Sequence, residues 1–95
     1  MELLIESIVE GDLSGARHAL KAEPALANAV FDEAALHDEF AHWIYVGDTA
    51  LHVAAAGHRV QIASALLAAG ANPNAAGNHR QSTALHYASD GYSIF

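Results

Sequence analysis

The sequence predicts an all-α fold built from short stacked helix-turn-helix units, and three observations carry that expectation. The first is composition. Hydrophobic residues make up 53% of the 95 residues, yet aromatics are only 7% and alanine is the commonest residue. Alanine favours helices and lets one helix approach another closely, while adding little buried area per residue. The second is internal repetition: Thr49-Ala50-Leu51-His52 recurs 34 residues on as Thr83-Ala84-Leu85-His86, a period typical of stacked repeats. The third is punctuation. Gly70 and Asn72-Pro73-Asn74 follow an apolar run ending in Leu66-Leu67-Ala68-Ala69, as expected where a helix stops in a left-handed residue and a turn begins.

The unit from Thr49 to Ala75 is the most complete. Thr49 suits a helix N-cap, and His52 at the third helical position can reach back toward it as the acid does in a capping box. Leu51, Ala54 and Ala55 then share one face of a short helix. Gln61–Ala69 forms a second helix, with Ile62, Leu66 and, one position on, Leu67 as its apolar stripe. From Gly47 to Ala75 the segment resembles the ankyrin repeat without a gap. The family pattern runs Gly-x-Thr-Pro-Leu-His-x-Ala-Ala, then Gly-His, then Leu-Leu-x-x-Gly-Ala-Asp-x-Asn-Ala. Two departures occur: Ala50 stands for the proline, and His58-Arg59 for Gly-His.

The resemblance implies an ankyrin repeat solenoid, and the remaining sequence divides accordingly. Residues 1–29 form a degenerate N-terminal capping repeat. Gly11-Asp12-Leu13 resembles Gly-His-Leu there, Leu4, Ser7 and Ile8 take the places of Leu51, Ala54 and Ala55, and Leu20 that of Leu67. Its helices are expected near Glu2–Glu10 and Leu13–Ala22, ended by Glu23-Pro24. Glu2, Glu6, Glu10 and Lys21 supply the polar outer face that an end repeat needs. Residues 49–75 are the complete repeat, and residues 76–95 a partial third repeat with one helix over Thr83–Gly91. In that third copy Gln81 replaces the turn glycine, and one extra residue precedes Thr83. The last helix is expected to present Leu85, Tyr87 and Ala88, with Ile94-Phe95 beyond. Such an apolar end face is explained by a fragment of a longer array, by Tyr92–Phe95 folding back over it, or by self-association. A fragment is the favoured expectation.

Residues 30–48 form a long insertion in the hairpin between repeats. About eight residues would separate Asn28 from the next repeat threonine in an ordinary unit; here Thr49 stands 21 positions on. The insertion holds Phe31, Phe40, Trp43 and Tyr45 among Asp32, Glu33, Asp38 and Glu39. Its aromatic content argues for order, with a short helix over Asp32–His42 and Ile44-Tyr45-Val46 entering the hairpin strand.

The family resemblance implies a non-catalytic module that binds another protein through hairpin tips and first-helix surfaces. That implication falls on Trp43, Tyr45, Asp48, Ala56 and Gly57, with Phe40 as a further insertion aromatic. Trp and Tyr bury much area at low entropy cost and often anchor interfaces. Two readings of Trp43 and Tyr45 stand open: contact with a partner, or packing against the small first repeat. The residues expected to hold the repeat structure are Thr49, Leu51, His52, Leu66, Leu67, Gly70, Thr83, Leu85 and His86. A purely structural role, with binding elsewhere in a longer array, is the alternative.

Other chemistry has weaker support. The net charge is −7, with only Arg17, Lys21, Arg59 and Arg80 as basic residues; phosphate backbones and anionic membranes need clustered cations. The acidic surface favours a basic or neutral partner. With no cysteine, disulfides and thiolate metal sites are excluded. No signal peptide or membrane span is expected, and the cytoplasm is the default location. His37, Asp38, Glu39 and His42 crowd together, with His58 and His79 available. Histidines five apart nevertheless lie on different helix faces and miss the zinc-protease spacing, so no metal or cofactor is expected. No Gly-x-Ser-x-Gly elbow positions a serine for catalysis, and the adjacent acid pairs diverge.

Overall fold

The structure is a computed structural model, and it describes residues 2–31, 46–77 and 83–89. Five α-helices and one 3₁₀ turn follow in order: α1 (Glu2–Glu10), α2 (Leu13–Ala22), the 3₁₀ turn (Pro24–Asn28), α3 (Ala50–Ala56), α4 (Val60–Ala68) and α5 (Ala84–Ser89). The fold is all-α, as the repeat pattern implies. Helices α1 and α2 form one antiparallel pair and α3 and α4 a second. The pairs stack, α1 on α3 and α2 on α4, and α5 then packs on α3.

The helix ends explain why the pairs are so compact. Each of the first two units turns through a left-handed residue, and the hydrogen bonding is the same in both. At the end of α1, Gly11 (φ +74°) donates to the Ile8 carbonyl at 3.1 Å, and Asp12 to that of Ser7 at 2.7 Å. At the end of α3, His58 donates to Ala55 at 3.1 Å and Arg59 to Ala54 at 2.8 Å. This double bond to the orphan carbonyls is the Schellman arrangement. A third copy ends α4: Gly70 donates to Leu67 and Ala71 to Leu66, both at 3.0 Å, with Gly70 at φ +100°. His58, at φ +54°, is the one non-glycine residue with positive φ among the described residues. It stands where the family pattern has its glycine.

The start of α3 is held by the capping box expected from Thr49 and His52. Thr49 Oγ1 accepts from the His52 amide at 3.4 Å, and His52 Nδ1 accepts from the Thr49 amide at 3.0 Å. Because Nδ1 accepts a backbone hydrogen, the ring proton of the neutral imidazole sits on Nε2. His52 is buried, so two backbone donors at the helix start are satisfied without water. Asp12 caps α2 in the simpler way, accepting the Gly15 amide on Oδ1 at 3.0 Å.

The core runs continuously through the stack. Leu4, Ile5, Ile8 and Val9 of α1 meet Ala16, Ala19 and Leu20 of α2; Leu51, Val53 and Ala54 of α3 meet Ile62 and Leu66 of α4. Ala27 of the 3₁₀ turn and Ala84 of α5 close it at either side. Alanine at Ala50, Ala54 and Ala56 leaves α3 room to lie between α1 and α5. Of the expected stripe on α4, Ile62 and Leu66 are buried, whereas Leu67 is 46% exposed.

Candidate functional site

The insertion grows from a short antiparallel base. Val30 and Thr49 form a bridge, the Phe31 amide donates to the Asp48 carbonyl at 2.9 Å, and the Gly47 amide donates to the Phe31 carbonyl at 2.8 Å. The chain therefore leaves and rejoins the stack at one point, directly before the capped start of α3. Phe31 is half-buried against the core, whereas Val30 and Val46, on either side of the base, are 59% and 47% exposed. An apolar pair at the root of the insertion is thus offered to solvent.

The residues proposed from the sequence for partner contact fall into two groups. Phe40, Trp43 and Tyr45 lie outside the described residues, as do the helix expected over Asp32–His42 and the strand entry at Ile44-Tyr45. Asp48, Ala56 and Gly57 are described, and their expected exposure is corrected: all three are buried. Asp48 is enclosed where the hairpin base meets the Thr49 cap, and Ala56 occupies the last turn of α3 inside the helix layers. Of the three, Ala56 belongs to the continuous apolar core. The motif residues divide in the same way. Thr49, Leu51, His52 and Leu66 are buried, Thr83 is half-buried ahead of α5, and Leu67, Gly70 and Leu85 are exposed. His86 lies on α5.

Two clasps between units were not foreseen. Arg59 reaches back across the stack and donates from Nε to the Ile8 carbonyl at 3.0 Å and from Nη2 to the Val9 carbonyl at 2.6 Å. A guanidinium fork on the last carbonyls of α1 gives Val9 a donor and Ile8 a second one beside the Gly11 amide, and opposes the negative end of the helix dipole. The same guanidinium lies 3.1–3.2 Å from where a Cβ on Gly11 would stand, so a side chain there would have to shift Arg59 as well as strain the backbone. On the opposite edge, Asn28 donates from Nδ2 to the Gly70 carbonyl at 2.9 Å and accepts the Asn72 amide on Oδ1 at 2.8 Å. One asparagine thus joins the turn after α2 to the turn after α4. His58 Nε2 adds a third link, donating to the Ala88 carbonyl of α5 at 3.1 Å. The sequence marked Arg59 and His58 only as departures from Gly-His. The usable signal was that both follow the turn, where a long polar side chain meets the neighbouring helix end.

The far end of the stack differs from its interior. Leu20 of α2 is 6% exposed because α4 packs over it, whereas Leu67, at the equivalent place on α4, is 46% exposed. Leu51 and Leu85 form the same contrast between α3 and α5, at 4% and 76% exposed. Val60 is 72% exposed on the same side of α4 as Leu67. Of the end face that the sequence expected, Leu85 is exposed and Ala88 half-buried, and Ile94 and Phe95 lie outside the described residues.

Among the described residues no helix is long and apolar enough to cross a membrane, and no three His, Asp or Glu gather as a metal-binding group. His37, Asp38, Glu39, His42 and His79 lie outside the described residues.

Residues 46–78 match the family model for the ankyrin repeat. The match covers the returning side of the hairpin base, α3, α4 and the turn after Gly70. The matched segment is an ankyrin repeat, and ankyrin repeats generally serve as protein–protein interaction modules. No curated protein matches the chain.

Proposed function

We propose that this chain is a non-catalytic interaction module whose partner contacts the insertion and its root. The observation that carries the reading is the hairpin base. Residues 30–31 and 47–49 are tied by backbone hydrogen bonds to a capped helix start. The sequence between these tied ends carries Phe40, Trp43 and Tyr45, and Val30 and Val46 at the ends are exposed. Binding sites built on loops held by a firm scaffold are common, and aromatic side chains give such loops their anchoring area. The partner is another protein, neither nucleic acid nor membrane, since the net charge is −7 and, among the described residues, α2 alone offers neighbouring exposed cations. The test is Trp43→Ala and Tyr45→Ala in the full chain. Loss of binding with unchanged melting supports the reading; unchanged binding with a lowered melting temperature assigns both aromatics to packing and overturns it.

A second reading has its own observation. The end face of Val60, Leu67 and Leu85 exposes positions whose counterparts in the preceding unit are covered or partly covered. The opposite end is acidic: Glu6, Glu10, Asp12 and Glu23 surround a shallow groove with Leu3 and His18. One polar end and one apolar end suit a terminal cap of a longer stack, or a unit that self-associates through the apolar end. Sedimentation at rising concentration distinguishes these. A monomer throughout removes self-association, and dimers abolished by Leu67→Glu with Leu85→Glu establish it.

A further inference from the structure

The face made by α2 and α4 carries a groove of about 620 Å³, lined by Arg17, Leu20 and Lys21 on one side and Gln61, Ser64 and Ala65 on the other. Its charge is opposite to that of the protein. The chain holds 11 acidic residues and 4 basic ones, yet among the described residues no acid lines this groove, while Arg17 and Lys21, both exposed, do. Arg59, the remaining described cation, is engaged on the carbonyls of α1. The floor is Leu20 and half-buried Ala65, and Ala68 and Ala69 widen it with small side chains.

We infer that this groove binds an extended acidic peptide segment with carboxylates at alternate positions. Arg17 and Lys21 are four apart on one helix, which places them on one face with Cβ atoms roughly 6 Å apart. In an extended chain, alternate side chains point to the same face about 6.6 Å apart. An Asp or Glu at each of two alternate residues therefore meets both cations at once, and the intervening side chain turns outward. Arginine offers a planar fork matched to a carboxylate. A lone carboxylate at so open a surface gains little; two on one chain gain by acting together. Gln61 and Ser64 face the cations across the groove and can hydrogen-bond the peptide backbone. Small side chains on α4 leave room for that backbone to lie against the helix. A nucleic-acid backbone is disfavoured because two cations neutralise few phosphates against a net charge of −7.

The experiment is fluorescence anisotropy with the full chain and labelled ten-residue peptides. One has glutamates at alternate positions separated by alanine; a control of the same composition has its glutamates in one block; a third probe is a single-stranded oligonucleotide. The alternating peptide is expected to bind at least tenfold more tightly than the block control. Arg17→Glu with Lys21→Glu is expected to abolish that binding while leaving the helical circular-dichroism melt unchanged. Absence of binding by the alternating peptide overturns the inference, as does equal binding of the block control or tighter binding of the oligonucleotide. Should the double variant unfold, Ser64→Glu, which adds a like charge to the opposite wall, is to weaken the peptide by a comparable factor; undiminished binding to a folded Ser64→Glu protein overturns it equally.

Discussion

Replacing Arg59 by alanine removes the clasp between the first and second helix pairs, and its cost can be worked from the geometry. Two hydrogen bonds are lost, to the Ile8 and Val9 carbonyls at 3.0 and 2.6 Å. Bonds to a charged donor contribute about 1.5–3 kcal/mol each when well protected. Arg59 is only half-buried, so water replaces part of that, and a total of about 2–3 kcal/mol is expected. For a domain of this size each kcal/mol moves the melting temperature by roughly 4–8 °C, which gives a fall of about 10–20 °C. Lysine retains a positive charge near the end of α1 but not the fork, and is expected to lose roughly half as much. The assay is thermal unfolding followed at 222 nm for the wild type, Arg59→Ala and Arg59→Lys. A fall of less than about 3 °C for alanine, or equal falls for alanine and lysine, would refute the reasoning that a directional fork joins the units.

The remaining predictions use matched positions. Leu20→Ala, at a buried site, is expected to cost about 2–4 kcal/mol, and Leu67→Ala, at its half-exposed counterpart, less than about 1 kcal/mol; chemical denaturation measures both, and equal costs mean the end face is covered in solution. His58→Gly relieves about 1 kcal/mol of left-handed backbone strain but loses the bond to Ala88, so stability is expected to change by less than about 1 kcal/mol. His58→Ala retains the strain and loses the bond, and should be the less stable of the two in the same melts. Gly70→Ala meets nothing within 4 Å, so its cost is the backbone alone, about 1 kcal/mol. His52→Ala removes the buried acceptor of the Thr49 amide and is expected to cost about 1–2 kcal/mol.

Much of the helical frame was legible because its signals are local. The bounds of α1 and α2, the Thr49–His52 box and the stop at Gly70 follow from capping and periodicity within a few residues of each site. Helix α4 begins and ends one residue earlier than its pattern suggested, at Val60 and Ala68, because His58 and Arg59 complete the turn before it. The contacts between units were not legible. Arg59 is 51 residues from Ile8 and Asn28 is 44 from Asn72, and no pattern along the chain signals which carbonyl a side chain will reach once helices stack. Burial of Asp48, Ala56 and Gly57 was missed for the same reason: exposure in a stacked repeat depends on the neighbouring unit. Leu67 shows the converse, since an apolar stripe marks a face that packs without saying whether a neighbour covers it.

The central claim is that partners meet the insertion, and site-specific photo-crosslinking tests it most directly. A photoreactive phenylalanine analogue is placed at Tyr45 in one preparation and at Glu6, on the acidic end, in another. Each is irradiated with the same partner-containing extract and read by mass spectrometry. Adducts to a common protein from position 45, absent from position 6, are predicted. Adducts from position 6 with none from position 45 would place recognition at the other end of the stack and contradict it.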